Sequence, residues 1–180
     1  MRQLCQLNLQ LAFVGARALS EDIENQSCTG QHSAREDLFK IALLTGAQCV
    51  IDSFVKIKPA GGSGDLIIGD QVIINSGCAL YTGNGIRIGN QVAIAANCTF
   101  APTNHSFMDS SKPIVEQGFL PSRGGIIIED DVWIGANCVI LDGAHLRSGC
   151  VVGAGSLVRG ELQACGIYGG NPLQLIKVRS

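Results

Sequence analysis

The sequence predicts a mainly β protein, a parallel β-helix of six-residue repeats preceded by helices. Between Ile128 and Val158 every sixth residue is aliphatic: Ile128, Ile134, Ile140, Leu146, Val152 and Val158. Four residues after each comes a second inward candidate, and Val132, Cys138, Ala144, Cys150 and Ser156 are all small or slim. A helix needs apolar spacings of three and four, and an amphipathic strand alternates throughout, so neither accounts for a beat of six. A solenoid does, because short strands stack on their equivalents in the next coil. Composition agrees: with 5% aromatic residues and 23 glycines among 180 residues, the chain suits narrow coils with many turns better than a bulky layered core.

Taken in order, residues 1–20 place Leu4, Leu7, Leu11 and Val14 at helical spacing. Gln3, Gln6, Asn8 and Gln10 interrupt the apolar run, which argues for an amphipathic helix and against a secretory signal. Residues 21–32 are polar and read as a loop. A second helix is expected over Ser33–Leu44, opened by the capping box Ser33 and Glu36, with Leu38, Ile41, Ala42 and Leu44 on its apolar side and Gly46 as its stop. Residues 1–45 then form a helical cap on a solenoid whose open end needs covering.

The repeat runs over residues 46–165, as about five coils from Ile51 to Val158. Ile51 and Ile57 start it, the PAGGSGD turn blurs it, and Ile68, Ile74 and Leu80 restore it. The stretch YTGNGIRIG slips the beat by two, and Ile88, Ile94 and Phe100 resume it. Between Phe100 and Ile128 the beat is lost. Residues 101–127 contain Pro102, Pro113 and Pro121, and are read as a loop leaving the coil. Residues 166–180 are read as a C-terminal tail.

The eight cysteines contain no CxxC pair, and Cys78, Cys98, Cys138 and Cys150 all fall on the small inward position of the beat. They are expected to be core thiols. Unpaired cysteines imply a reducing compartment, hence the cytoplasm, with peripheral contact to the inner membrane face as a second option. A net charge of −2 gives no reason to expect nucleic acid as a partner. Of three histidines, His32 falls in the polar loop and His145 in an outward slot, both read as surface residues, while His105 lies in the inserted loop. Projecting loops on rigid scaffolds are where chemistry tends to sit.

The segments IGNQVAIAANCTF, TNHSF, PIVEQG, DDVWIGANCVIL, GAGSLV and GGNPLQLIK, spread over residues 66–178, resemble the hexapeptide-repeat acyltransferases, in particular the maltose, galactoside and cell-surface-sugar O-acetyltransferases. The resemblance implies a left-handed coil, a homotrimer with sites between subunits, and acetyl-CoA as acyl donor. It also implies a sugar acceptor, in cell-surface polysaccharide or lipopolysaccharide modification. Transfer to a hydroxyl needs a base, and the family's catalytic histidine falls on His105; imidazole suits neutral pH. Glu116, Asp109 or a backbone carbonyl could orient its other nitrogen.

Asn75 matches an acceptor-site asparagine. Where galactoside-type enzymes carry acidic residues, this chain has Tyr81, Thr82, Gly83 and Asn84, making Asn84 a substitute acceptor contact. Trp133, the sole tryptophan, should point outward and line the cleft for donor and acceptor, although subunit packing would also explain it. Ala136 and Ala154 match positions along the pantetheine arm, although plain repeat geometry also explains them. Arg159 and Lys177 could meet coenzyme A phosphates; the family's common lysine is replaced by Gly160. No metal is expected: a γ-class carbonic anhydrase shares the fold but needs three histidines on zinc. Two alternatives to sugar O-acetylation remain: N-acetylation of an amino sugar, and a non-catalytic scaffold.

Overall fold

The computed structural model describes residues 43–180. The first helix, the polar loop with His32, and the second helix as far as residue 42 lie outside the described residues. The last residues of that second helix are corrected: Leu43–Thr45 is a strand, β1, paired in parallel with β4 (Leu66–Ile68). Helical spacing there coincides with the first beat of the solenoid, and packing onto the next coil decides for strand. Gly46 is accordingly no helix stop; its amide donates to Ile68 O at 2.8 Å.

Three parallel ladders wind into about six coils. The first sheet stacks β1, β4, β7 (Ile86–Ile88), β10 (Ile126–Ile128), β13 (Ala144–Leu146) and β16 (Glu161–Leu162). The second stacks β2 (Val50–Ile51), β5 (Ile73–Ile74), β8 (Ala93–Ile94), β11 (Trp133–Ile134), β14 (Val151–Val152) and β17 (Gly166–Gly169). The third stacks β3 (Lys56–Lys58), β6 (Ala79–Tyr81), β9 (Thr99–Ala101), β12 (Val139–Leu141) and β15 (Leu157–Val158). The coil therefore extends beyond the span from Ile51 to Val158 at both ends. The expected tail contributes β17, and β18 (Gln174–Val178) folds back antiparallel onto it. Arg179 fastens that end by donating to Asp131 Oδ2 at 3.0 Å and Gly149 O at 2.8 Å.

Register explains each irregularity of the beat. Ile126 pairs with Ala144, a step of 18 residues or three hexads. Ile73 pairs with Ala93, a step of 20, because two extra residues sit at the corner after Tyr81. Ala93 pairs with Trp133, a step of 40, so the inserted loop leaves without shifting the ladder. Because side-chain period is two, a slip of one residue would turn the buried set outward.

The core is the aliphatic beat itself. Leu66, Ile74, Leu80, Ile94, Phe100, Ile134, Ile140, Leu146 and Val158 are all buried. Each such side chain contributes about 1.5–3 kcal/mol through burial. Cys78, Cys98, Cys138 and Cys150 are fully buried as expected, but in two columns. Cys78, Cys98, Cys138 and Ser156 line the corner between the second and third sheets, whereas Cys150 stacks below Val72, Val92 and Val132 at the corner between the first and second. The thiols donate to carbonyls of the adjacent coil, as Cys98 Sγ does to Gly135 O and Cys138 Sγ to Gly153 O, both at 3.2 Å. Burial pushes the Cys150 thiol up.

Two corners turn through left-handed residues in every coil. Gln48, Gln71, Gln91 and Asp131 have φ near +56° at the first corner, and Asn97 and Asn137 near +60° at the second. This conformation is unfavourable for most L-residues but least so for Asn and Asp. Stacked amides offset the cost at the first corner: Gln71 donates to Gln48 at 3.0 Å and Gln91 to Gln71 at 3.1 Å.

Candidate active site on the loop-bearing edge

The third corner, where the chain passes from the third sheet to the first, carries the inserted loop. Residues 102–125 leave after β9 and return to β10. The strands at either end claim a little of the span expected for the loop. Below it, glycines keep the edge bare. A Cβ on Gly61 would lie 2.8 Å from the Phe119 ring, and one on Gly83 would lie 2.5 Å from the Thr103 methyl. The PAGGSGD and TGNG stretches that disturb the beat are thus the floor on which the loop rests.

His105 sits at the loop's base. It forms an antiparallel bridge with Phe119, flanked by Ser106 N donating to Gly118 O at 3.0 Å and Leu120 N to Asn104 O at 2.8 Å. The imidazole lies against the Phe119 ring with centroids 4.5 Å apart and planes at 33°. His105 remains exposed, so a reactant can reach it. Of the candidate orienting groups, Asp109 is already engaged: its Oδ1 accepts from Ser111 N at 3.0 Å and Ser111 Oγ at 2.6 Å. These bonds hold its carboxyl below the usual range. Lys112 lies 3.6 Å from its other oxygen. Glu116 ends a single 3-10 turn, Ile114–Glu116, and is exposed.

Asn84 shares this edge. It lines a recess of about 210 Å³ with Asp65, Arg87 and Gly124. Arg159 is also on this edge, in a recess of about 280 Å³ at the last coil, with Glu161, Tyr168 and Asn171. Asn75, Ala136 and Ala154 lie elsewhere, at the corner between the second and third sheets. There Asn75 Nδ2 donates to Ile94 O at 2.8 Å, tying one coil to the next. Ala136 and Ala154 occupy equivalent positions in successive coils, where Gly155 N donates to Ala136 O at 2.8 Å. Trp133 points outward from the second sheet, 55% exposed, and its ladder line continues through Val151 and Ile167 to Lys177. One chain therefore distributes the candidate residues over two edges and the second sheet.

Two contributors are absent from the sequence reading. Phe119 is the surface against which His105 rests. Asp142, only 5% exposed, accepts from two amides of the returning loop limb: Arg123 N to Oδ2 at 2.8 Å and Gly125 N to Oδ1 at 3.0 Å. A carboxylate two residues after the inward Ile140 was a legible signal for such a role. His145, expected at the surface, is half-buried, with Nε2 2.8 Å from Glu129 Oε1. Bonds from the Ser148 amide, then from Ser148 Oγ, His145 and Arg147, hold the Glu129 carboxyl down to about 2. Among the described residues no group of three His, Cys, Asp or Glu side chains is placed to hold a metal.

Residues 125–159 match the family model described as the hexapeptide repeat of succinyl-transferase. A probable acetyltransferase of Mycobacterium tuberculosis is 33% identical over 116 residues, which is 64% of this chain and 38% of that protein. A putative lipopolysaccharide biosynthesis O-acetyl transferase of Escherichia coli is 28% identical over 123 residues, 66% of this chain and 63% of that one. The chain thus carries a hexapeptide repeat and is similar to acetyltransferases. A crystal structure of an N-acyltransferase from Bacillus cereus with dTDP and coenzyme A superposes with a TM-score of 0.66 and 26% identity, covering 77% of this chain and 74% of that one. The chain spans 38% and 63% of the length of the two curated relatives.

Proposed function

We propose that the protein is an acetyl-CoA-dependent O-acetyltransferase acting on a sugar hydroxyl, in the modification of cell-surface polysaccharide or lipopolysaccharide. The observation that carries this reading is His105, exposed at the base of a loop and seated against Phe119 on a rigid edge. In the reaction, the hydroxyl oxygen attacks the acetyl carbon while His105 takes the hydroxyl proton. The carbon–sulfur bond then breaks, and the departing coenzyme A thiolate takes that proton from the imidazolium. Direct transfer needs no acyl-enzyme. Asn84 contacts the acceptor on the same edge, and Glu116, on the same loop, orients or contacts it.

The active site, donor and acceptor contacts together, is completed between copies of the chain. The second-corner residues Asn75, Ala136 and Ala154, with Trp133 on the adjoining face, would meet His105 of a neighbour, while Arg159 and Lys177 bind coenzyme A phosphates. Exposed Val50, Ile73 and Trp133 on the second sheet supply apolar surface for a homotrimer. The free cysteines fit a reducing, cytoplasmic setting. N-acetylation of an amino sugar is the second reading, favoured by the likeness to an N-acyltransferase crystallised with dTDP.

The test is thiol release from acetyl-CoA with a panel of sugars, amino sugars and nucleotide sugars. A sugar hydroxyl acceptor is the expected result; turnover confined to amines selects the second reading. His105→Ala should lower turnover by about 10² to 10⁴, with coenzyme A affinity by calorimetry unchanged. Near-normal turnover in that variant removes His105 from the chemistry. Light scattering that gives a monomer mass would overturn the shared site.

A further inference from the structure

The loop that carries His105 has two feet, and they are held very differently. The outgoing foot runs over bare glycines, with Thr103 Oγ1 donating to Ala60 O at 3.4 Å as its side-chain bond. The returning foot is fixed by a buried carboxylate. Asp142 follows β12 at the third corner, and both its oxygens face the returning chain, accepting from Arg123 N and Gly125 N. The lock is reciprocal, since Gly143 N donates to Gly125 O at 2.7 Å. Gly124, between the two donors, has φ +110°, a backbone that ordinary residues avoid.

A buried carboxylate is costly to keep unless its oxygens are bonded, so the energy of leaving it unpaired falls on these two amides. They stand one and three residues inside the return to β10. Four residues before Arg123, the same limb carries Phe119, whose bridge to His105 hands the constraint across the loop. The returning limb thus carries two sets of bonds: Arg123 N and Gly125 N to the Asp142 carboxylate at its coil end, and backbone bonds of Gly118 and Leu120 to Ser106 and Asn104 at the His105 end, with the short covalent stretch 121–122 between them.

We propose that Asp142 is a positioning residue for His105: it sets where the base stands by holding the loop's returning limb, without touching either reactant. This rests on the reading of His105 as the general base.

The test begins on the intact, unaltered chain. Hydrogen exchange should show the Arg123 and Gly125 amides protected alongside the strand amide of Trp133, which bonds Cys150 O at 3.0 Å. Exchange as fast as in an unstructured peptide would overturn the proposal, whatever any variant does. In Asp142→Asn, one acceptor becomes a donor facing an amide. Exchange at Ser106 and Leu120 should accelerate at least tenfold while Trp133 stays protected. Turnover with acetyl-CoA and the best acceptor of the panel should fall by about 10-fold to 10²-fold, the scale of a misplaced group.

Placed on His105→Ala, the same change should cost nothing further, because Asp142 acts through the imidazole. An additional loss of equal size in the double variant would overturn the proposal, as would unchanged Ser106 and Leu120 exchange in Asp142→Asn. If His105→Ala alone keeps full turnover, the functional reading fails, while the exchange results still judge the hold of Asp142 on the loop.

Discussion

The coils and the loop at residues 102–125 follow opposite rules. In the coils the large apolar side chains face inward, and Phe100, Ile134 and Ile140 are fully buried. In the loop they face out: Phe107 is 58% exposed, Met108 81%, Ile114 55% and Val115 80%. Coil position is fixed many times over, by ladder bonds above and below and by burial. Loop position is fixed by a bridge at His105, a ring contact, bare glycines and Asp142. Stability should therefore reside in the coils, and reactivity in the few bonds that place the loop.

The largest break in that contrast is expected from Phe100→Ala. Phe100 stacks between Leu80 and Ile140 in the third sheet and is fully buried. Its truncation should cost about 3–5 kcal/mol, seen as a lower urea midpoint, with activity lost only in proportion to unfolding. Specific loss of turnover in a fully folded variant would show that this beat position serves chemistry.

A smaller effect is expected at Glu129, which ties two successive coils together by accepting from Ser148, His145 and Arg147. These bonds hold its carboxyl down to about 2, below its ordinary value of 4.5. The depressed pKa means that its contribution is fully present above about pH 4.5 and is lost as pH falls toward 2. Because the side chain is 31% exposed, that contribution is about 1 kcal/mol. Melting temperature measured from pH 6 to pH 2 should fall less steeply in Glu129→Gln than in the parent chain. Parallel curves would remove Glu129 from the acid response.

The smallest change in stability is expected where the effect on activity is complete. Replacing residues 107–117 by a short Gly-Ser link leaves the coils untouched, so unfolding free energy should shift by less than about 1 kcal/mol. Turnover should disappear if the tip contributes to the acceptor site as the reading of Glu116 requires. A shortened variant that retains turnover would confine the chemistry to the bridge at His105.

Much of this was legible in the order of residues. The beat from Ile128 to Val158 foretold which side chains are buried, and the three prolines of the interruption foretold a loop. Asp142 was also visible as a carboxylate beside an inward position, although nothing local says which amides it meets. Phe119 was not legible: it looks like one more apolar residue of a loop, and only the fold-back at the bridge brings it to His105. The corners were not legible either, because Gln48, Gln71 and Gln91 take a left-handed conformation that their identity does not favour. Stacking of equivalent turns imposes it.

By itself the sequence determined the repeat, the identity of the core and the location of a histidine in the loop that interrupts the repeat, because periodic burial is written in the spacing of side chains. Tertiary structure alone decided that Leu43–Thr45 joins the first sheet and that Gly166–Gly169 continues the second. It also decided that glycine-floored corners carry the loop, and that the candidate site residues are divided between two edges and the second sheet. These outcomes depend on contacts between residues 16 or more positions apart, where burial and backbone pairing outweigh the local preferences a sequence can express.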